Sequence, residues 1–197
     1  ETAQLKLIRD VPVNLGGFSL NFRNDVTMVQ WDCNGYQSTT IGGDVVLPSN
    51  LIKPVASTPG DSTVMGSFYA NFSDFNDLML GFTMEPFEVN GLPNFEFHPN
   101  SVFVDFSDLR NPEGIVYPGG YFPSGTSEQV KKLWRGIYIT SFTVKLPEGL
   151  SNGEQNMEIS AQNMLIDHNG ITGNIFAANI LSLENGNLAG WQFSVDT

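Results

Sequence analysis

Acidic side chains are the most abundant groups in the sequence that could carry chemistry. The chain of 197 residues has 21 Asp and Glu residues and two His residues. Glu85 with Glu88, or Glu96 beside His98, has the composition of the acid and base pair of a glycoside hydrolase, but such a pair is defined by the distance between its carboxyl groups. The sequence contains no nucleophile-elbow, phosphate-loop or His-Glu-x-x-His motif. Because solvated surface carboxylates are the ordinary alternative, we assign no catalytic residue.

Pairs of aspartates near predicted strand ends form the candidate metal site. Asp74 and Asp77 lie in one segment, and Asp105 and Asp108 lie in another. Carboxylate oxygens that converge at strand ends are typical Ca²⁺ ligands, so these four residues are the candidate calcium ligands. The alternative is that each Asp caps a turn. The single cysteine, Cys33, forms no zinc cluster with the two histidines.

Tyrosine and tryptophan side chains form the candidate ligand-binding site. Aromatic residues make up 12% of the chain, and those with a polar edge tolerate a surface position. A Tyr or Trp ring flanked by Asn and Asp is a common platform on which a sugar ring stacks. Tyr117 and Tyr121 belong to a loop rich in Pro and Gly, which favours exposure. Tyr36 and Trp134 complete the candidate set, and a place in the core is the alternative for each residue.

Charge and composition restrict the partners. The formal net charge of −12, with nine Lys and Arg residues, repels phosphate backbones, so we expect no nucleic-acid partner. Charged residues are 15% of the chain, against roughly 25% in an average soluble domain. This acidic but weakly charged composition is common in secreted and cell-surface β proteins, whose partner is a protein or a surface glycan. No apolar run is long enough for a transmembrane segment.

Local patterns predict an all-β fold. Apolar and polar residues alternate over 157–162, which places Met157, Ile159 and Ala161 on one buried face of a strand. A second alternating stretch ends before Pro147, because proline cannot donate a hydrogen bond to a ladder. Turn pairs such as Asn-Gly separate short segments of this kind. The other predicted strands are 4–8, 18–22, 26–31, 67–72, 79–84, 101–106, 171–178 and 190–195.

One segment, 127–135, carries helix signals. The run 124–127 supplies candidate N-caps, Glu128 lies in the first turn, and basic residues fill the last turn before Gly136. These features predict one short helix over 127–135. Its buried side would consist of Val130, Leu133 and Trp134.

A seven-residue phrase occurs twice, as VVLPSNL at 45–51 and as VKLPEGL at 144–150. In each case a strand-like segment, a polar loop and another strand-like segment follow in the same order. This order predicts a reused β unit, although Leu-Pro also ends unrelated strands. We expect Leu47 and Leu146 to occupy equivalent places and point into the core, and the second leucine of each phrase to return its loop to that core.

The predicted fold class is therefore an antiparallel β-sandwich or a layered, solenoid-like β repeat with one short helix. The chain is predicted to be a single β-rich domain or a fragment of a larger chain. The repeated phrase favours a division into two related β units at about 1–116 and 117–197.

The C-terminal part of the sequence resembles a known group of proteins. Its segments ITSFTVKLPEGL, MEISAQNMLIDHNGITGNIFAANIL and NGNLAGWQFSVD are similar to segments of very large, repetitive, β-rich proteins of Bacteroidota, some of them linked to contractile injection systems. The resemblance covers mainly residues 137–196. It implies that the chain is a fragment of a larger protein, and it carries over no catalytic motif.

These observations favour a non-catalytic structural or adhesive β module of a secreted or cell-surface assembly. The alternative is a glycan-binding β-sandwich module, which predicts an exposed pair among the candidate aromatic residues. A glycoside hydrolase is the third hypothesis, and it requires two carboxylates that face one cleft. Bound Ca²⁺ is the cofactor that the aspartate pairs suggest.

Overall fold

Antiparallel strand pairing accounts for the architecture of the protein. The computed structural model describes residues 2–15, 18–55, 63–118, 121, 133–147, 157–168 and 170–178. Within these ranges the chain forms fourteen strands and no helix. Every strand pair is antiparallel, and hydrogen bonds connect all fourteen strands into one sheet. The predicted all-β, antiparallel fold is confirmed.

The strands of the sheet differ widely in length. The longest strand, β5, has 12 residues, and β12 and β13 have 10 each. In chain order the strands are β1 (Thr2–Lys6), β2 (Val11–Leu15), β3 (Phe18–Phe22), β4 (Met28–Asp32), β5 (Gly35–Val46), β6 (Ile52–Pro54), β7 (Met65–Phe72), β8 (Met79–Met84), β9 (Phe87–Val89), β10 (Glu96–Pro99), β11 (Ser101–Asp105), β12 (Gly136–Lys145), β13 (Glu158–Asp167) and β14 (Gly170–Ala178).

One path of hydrogen-bonded neighbours runs through the sheet, in the order β1-β4-β5-β7-β8-β11-β12-β10-β9-β6. In addition, β3 pairs with β5 and carries β2, while β13 pairs with β12 and carries β14. The long strands β5 and β12 therefore each bond three strands. Two of these strands follow one another along one edge, and the third lies along the opposite edge.

The change of partner takes place at matching positions in β5 and β12. Strand β4 pairs with β5 as far as Thr40, and β3 takes over at Gly43. Likewise β11 pairs with β12 as far as Ile139, and β10 takes over at Phe142. Two residues separate the successive partners in each long strand.

A glycine is required where β3 meets β5. A Cβ atom added at Gly43 would collide with the carbonyl oxygen of Asn21 and would lie 2.9 Å from the ring of Phe68. Backbone atoms cannot move aside as a flexible side chain can, so the close approach of β3 depends on this glycine.

The two Leu-Pro phrases end the two long strands. Leu47 follows β5, and its N–H donates to the carbonyl oxygen of Val64 at 3.0 Å. Leu146 follows β12, and its N–H donates to the carbonyl oxygen of Met157 at 2.9 Å. The two leucines thus make the same backbone bond at the end of a long strand, as expected, but both side chains are half-buried and the expected core position is not reached.

The second leucine of each phrase has a different outcome. Leu51 is 54% exposed, so the expectation that it returns its loop to the core is wrong. The side chain stays at the surface because residues 48–51 form a turn, in which the Leu51 N–H donates to the Pro48 carbonyl oxygen at 3.0 Å. Leu150 lies outside the described residues.

The predicted helix falls mainly on residues that the structure leaves undescribed. Of the segment 127–135, only 133–135 are described, and these are not helical. No helix long and apolar enough to cross a membrane occurs in the described ranges.

Side chains of the sheet alternate between the core and the surface. In β7, Phe68, Ala70 and Phe72 are buried, while Tyr69 and Asn71 point outward. A second group of buried side chains lies between the start of β12 and the segment before it. It comprises Tyr121, Trp134, Tyr138 and Leu165, with Phe103, Ile115 and Tyr117 packed against them.

Candidate functional site

The connection between β11 and β12 builds the candidate functional site. The tight turn 33–34 joins β4 to β5, whereas residues 106–135 join β11 to β12. Both connections begin in the same way, because Asp32 Oδ1 and Asp105 Oδ1 each accept the backbone N–H two residues later, at 2.6 and 3.1 Å. The longer connection therefore starts from an ordinary Asx turn and then extends to neighbouring strands.

Four polar side chains lie where this connection meets the segment before β8, and three of them, Asp77, Ser107 and Arg110, join the two. The pairing of β11 with β8 brings the two segments together, and the Phe106 N–H donates to the Leu78 carbonyl oxygen at 3.1 Å. We call these side chains the Arg110 junction, and they are Asp77, Asp105, Ser107 and Arg110.

Arg110 makes most of the contacts in the junction. Its Nε lies 2.9 Å from Asp77 Oδ2 without hydrogen-bond alignment, so this contact is an ion pair. Its Nη2 donates to the backbone carbonyl oxygen of Asp77 at 3.3 Å and to that of Asn71 in β7. The hydroxyl of Ser107 donates to Asp77 Oδ1 at 2.9 Å. One guanidinium thus joins β7, the segment before β8 and the connection after β11.

Asp105 is a buried carboxyl group at the edge of the junction. It is 2% exposed, and among the described residues its Oδ2 has no hydrogen-bond partner. Burial raises its pKa from 3.8 to about 6; the charge of Asp77 adds to this, while the Ser107 N–H and Arg110 oppose it. A carboxyl group that holds its proton near pH 6 is a candidate proton donor, although structural carboxylates are perturbed in the same way.

An open groove of about 470 Å³ lies beside the junction. Its wall includes the ring of Tyr69, which is 51% exposed, and the guanidinium of Arg110. An aromatic face beside charged and amide groups has the chemistry to hold a polar ligand such as a sugar. Its other polar and aromatic lining residues are Asn71, Phe103, Asn111 and Glu113.

Three of the four candidate aromatic residues meet in the core. Tyr117 and Tyr121 stack with ring centroids 5.6 Å apart and planes 5° apart. Trp134 is 2% exposed, and its ring lies edge-on to Tyr138 at 6.4 Å. Since Tyr121 and Trp134 are buried, the core alternative describes their position, and neither ring offers a surface platform.

The tyrosine hydroxyls of this aromatic cluster are hydrogen-bonded to neighbouring side chains, whereas the buried Nε1 of Trp134 has no hydrogen-bond partner among the described residues. Asn111 Oδ1 accepts both the Tyr117 hydroxyl at 3.2 Å and the Trp134 backbone N–H at 3.0 Å. The Tyr121 hydroxyl donates to Asp167 Oδ2. Burial raises the pKa of Tyr117. These bonds fix the connection after β11 onto β12 and β13, which is a structural role.

Tyr36 lies apart from the other three candidates. Its ring stacks on Phe75 at 6.0 Å, and its hydroxyl donates to the Phe72 carbonyl oxygen at 3.1 Å and lies 3.0 Å from Thr39 Oγ1. Phe75 is 74% exposed, so this pair has an accessible apolar face. The structure therefore does not join the four aromatic residues into one surface.

The four candidate calcium ligands also do not lie together in one place. Asp74 Oδ1 accepts the backbone N–H of Asn76 at 2.8 Å, which is the turn-capping alternative, and Asp108 is exposed. Asp77 and Asp105 both belong to the Arg110 junction, where Arg110 already supplies positive charge. Within the described ranges no three His, Cys, Asp or Glu side chains are grouped so as to hold a metal ion. Calcium binding stays a prediction.

The groove contains residues that the sequence patterns did not single out. The outward position of Tyr69 follows from the alternation of β7, in which Phe68 and Ala70 point inward. No local signal marks Arg110 or Glu113, because their position depends on the pairing of distant strands.

Comparison with known proteins adds no assignment. No protein-family model matches the chain, and searches of curated proteins and of solved structures find no match. The function must therefore be argued from the sheet and the groove themselves.

Proposed function

We propose that the protein is a structural or adhesive β module of a secreted or cell-surface assembly. The observation that carries this proposal is the continuity of the sheet, in which β8 bonds β7 along one edge and β11 along the other. A sheet that extends through the whole described chain transmits load through backbone hydrogen bonds, and it can be lengthened at either end.

Exposed apolar residues at the two ends of this sheet support the proposal. Ile171, Ile175 and Phe176 of β14 are exposed, as are Leu5 of β1 and Ile8 after it. Apolar side chains that cluster at a strand edge favour a partner at that edge. The weakly charged surface and the net charge of −12 fit a protein or glycan partner better than a nucleic acid.

Labelling of intact cells tests the proposed location. An antibody raised against the purified chain should label the surface of unbroken cells of the producing organism, or its secreted material. Antibodies to a cytoplasmic enzyme serve as the control for cell integrity. Label that is present only after lysis would contradict the proposal.

A glycan-binding module is the second candidate, and the groove beside Tyr69 favours it. Titration calorimetry with soluble cell-wall and dietary polysaccharides should then detect binding that Tyr69→Ala abolishes. Phe75→Ala removes an exposed aromatic ring outside the groove and should leave the affinity unchanged. Absence of binding at millimolar sugar would remove this candidate. A glycoside hydrolase finds less support, since Glu113 is the single carboxylate among the described residues that line the groove.

A further inference from the structure

Two sets of seven strands show the same pairing pattern along the chain, and the two sets share one strand. Strands β1, β2, β3, β4, β5, β7 and β8 form one set of seven, and β8, β9, β10, β11, β12, β13 and β14 form another. In each set the first strand pairs with the fourth and the second with the third. The fourth and third pair with successive halves of the fifth, the fifth pairs with the sixth, and the sixth with the seventh. We call each set a seven-strand unit.

Single hydrogen bonds recur at matching places in the two units. Where the third strand gives way to the fourth, the Arg23 N–H donates to the Gly42 carbonyl oxygen, and the Asn100 N–H donates to the Ser141 carbonyl oxygen, both at 3.0 Å. The Leu-Pro phrases and the Asx turns that follow β4 and β11 recur in the same way. The agreement therefore extends to the residue level and exceeds a general likeness of antiparallel sheets.

Strand β8 belongs to both units, as the seventh strand of the first and the first strand of the second. One edge of β8 bonds β7, the sixth strand of the first unit. The other edge bonds β11, the fourth strand of the second unit. Strand β14 is the seventh strand of the second unit, and in the described ranges only β13 pairs with it.

The register shows which groups of β14 face outward. Because Met157 accepts a hydrogen bond from Leu146, the odd-numbered residues at this end of β13 face β12, and the even-numbered ones face β14. Gln162 pairs with Asn174, so the N–H groups of Gly173, Ile175 and Ala177 point away from β13.

The exposed side chain of Ile175 marks the same edge. Phe82 of β8 pairs with Phe68 on one side and with Val102 on the other, and it is half-buried. Ile175 occupies the corresponding place in β14, opposite Ala161, but is 72% exposed. In β8 the fourth strand of the next unit lies beside the apolar residue at this position. Among the described residues, β14 has no such neighbouring strand.

The sequence after β14 repeats the sequence after β1. Residues 14–22, NLGGFSLNF, contain the end of β2 and all of β3. Residues 187–195 read NLAGWQFSV, with the same Asn-Leu-x-Gly start followed by an aromatic residue and alternating apolar positions. Residues 187–195 lie outside the described ranges, so this is a comparison of sequences alone. It places the pattern of a second and third strand after β14, as after β1.

We propose that the outer edge of β14 is the docking edge for the fourth strand of a further seven-strand unit of this same kind. The proposal rests on the proposed structural role and names the partner that lengthens the sheet. In it β14 is the first strand of the next unit, as β8 is. The units then meet at β8 and β14, whereas the boundary near residue 116 stays a prediction from the repeated phrase.

An extended chain tests this proposal directly. Ala177 corresponds in register to Met84, so residues 1–177 are followed by a second copy of residues 85–197. Amide hydrogen exchange of Gly173, Ile175 and Ala177 in the first copy is measured by NMR in the original and the extended chain. We expect these amides to exchange at least about tenfold more slowly in the extended chain, because hydrogen-bonded amides exchange only when the strand opens.

Two proline variants provide matched controls. Ile175→Pro removes an outward N–H, so it should leave the unfolding midpoint of the original chain nearly unchanged but abolish the slowed exchange of Gly173 and Ala177 in the extended chain. Asn174→Pro removes an N–H that faces β13, so it should lower the unfolding midpoint of both chains.

Each other outcome overturns the proposal in a distinguishable way. Unchanged exchange at β14 beside a folded second copy shows that the edge does not accept a fourth strand. Free exchange throughout the appended residues shows that β14 cannot begin a unit. Protection that rises with protein concentration shows pairing between whole chains instead. None of these outcomes bears on surface location, so the structural proposal is judged separately by cell labelling.

Discussion

At the scale of single residues, the Arg110 junction holds charges that the sequence alone does not bring together. Asp77 lies in the segment before β8 and Asp105 ends β11, while Arg110 pairs with Asp77 and donates to the backbone of β7. The aspartate pairs were predicted as calcium ligands from their place at strand ends. The aspartates do lie near strand ends. Tertiary contacts decide which positive group approaches them, and among the described residues that group is a guanidinium.

The first prediction concerns the pH dependence of stability. The folded-state pKa of Asp105, about 6, exceeds its ordinary value of 3.8, so the folded chain keeps a proton that the unfolded chain has released. The stabilising contribution of this group is complete below about pH 4 and is lost as the pH rises through about 6. An asparagine side chain does not titrate, so Asp105→Asn avoids this loss. The free energy of unfolding of the variant, relative to that of the parent, should therefore rise by about 1–3 kcal/mol from pH 4 to pH 7.

Urea unfolding at pH 4, 5, 6 and 7 measures this difference. Asp32→Asn, which changes the matching Asx-turn carboxylate at the end of β4, is the control variant. A difference between Asp105→Asn and the parent that is constant over this range would show that the carboxyl group ionises normally.

The second prediction concerns Arg110. Arg110→Ala removes an ion pair and two bonds to backbone carbonyl oxygens at a half-buried site, and should lower the free energy of unfolding by about 2 kcal/mol. Arg23→Ala breaks the exposed pair with Asp25 and should leave the free energy of unfolding nearly unchanged. Chemical denaturation at neutral pH measures both, and equal effects would show that the junction adds no stability.

At the scale of elements, local patterns predict nine of the fourteen described strands, and β2, β5, β6, β9 and β10 are not predicted. The alternating stretch before Pro147 and the one at 157–162 correspond, to within one or two residues at the ends, to β12 and to the first half of β13. The longest strand, β5, was not predicted, because its Gly, Ser and Thr residues have the composition of a loop. Its glycines serve the close approach of β3, which no local pattern reveals.

The candidate site was predicted only in part for a related reason. A loop rich in Pro and Gly favours exposure, yet Tyr121 and Trp134 are buried by contacts with β12 and β13. Composition indicates that a loop is irregular, but the elements that cover it are distant in sequence. Tyr69, by contrast, follows from simple alternation and could have been found.

The third prediction tests the role of the Leu-Pro phrases. Leu146→Ala should lower the free energy of unfolding by about 1–3 kcal/mol, since its side chain is half-buried at the end of the β12–β13 ladder. Leu47→Ala, at the corresponding end of β5, should have a similar effect. Leu51→Ala changes an exposed side chain and should stay within about 0.5 kcal/mol. Denaturation curves for the three variants decide this, and a neutral Leu146→Ala would make the phrase a surface turn.

At the scale of the whole molecule, one sheet connects both ends of the described chain through β8. Removing either neighbour of β8 exposes its backbone groups and the apolar residues beside them, so the two halves of the sheet support each other. Independent domains joined by a linker would lack this coupling.

The fourth prediction follows from that coupling. Trp31 lies in β4 and Trp134 precedes β12, so each reports on a different half of the sheet. Variants that retain only one of these tryptophans, with the others changed to Phe, should show the same urea midpoint by fluorescence. Two midpoints separated by more than about 0.5 M would show that the halves unfold independently.

The unequal connections before the two long strands also set an order of folding. Bringing β4 to β5 closes only the turn 33–34, whereas bringing β11 to β12 closes residues 106–135. Closing the longer connection costs about 2 kcal/mol more in loop-closure entropy, and this cost arises before the strands gain any contact. We therefore expect the β4–β5 hairpin to form first, and β8, once paired with β7, to present the edge on which β11 pairs. During synthesis from the N-terminus, the slow closure thus takes place against a sheet that already exists.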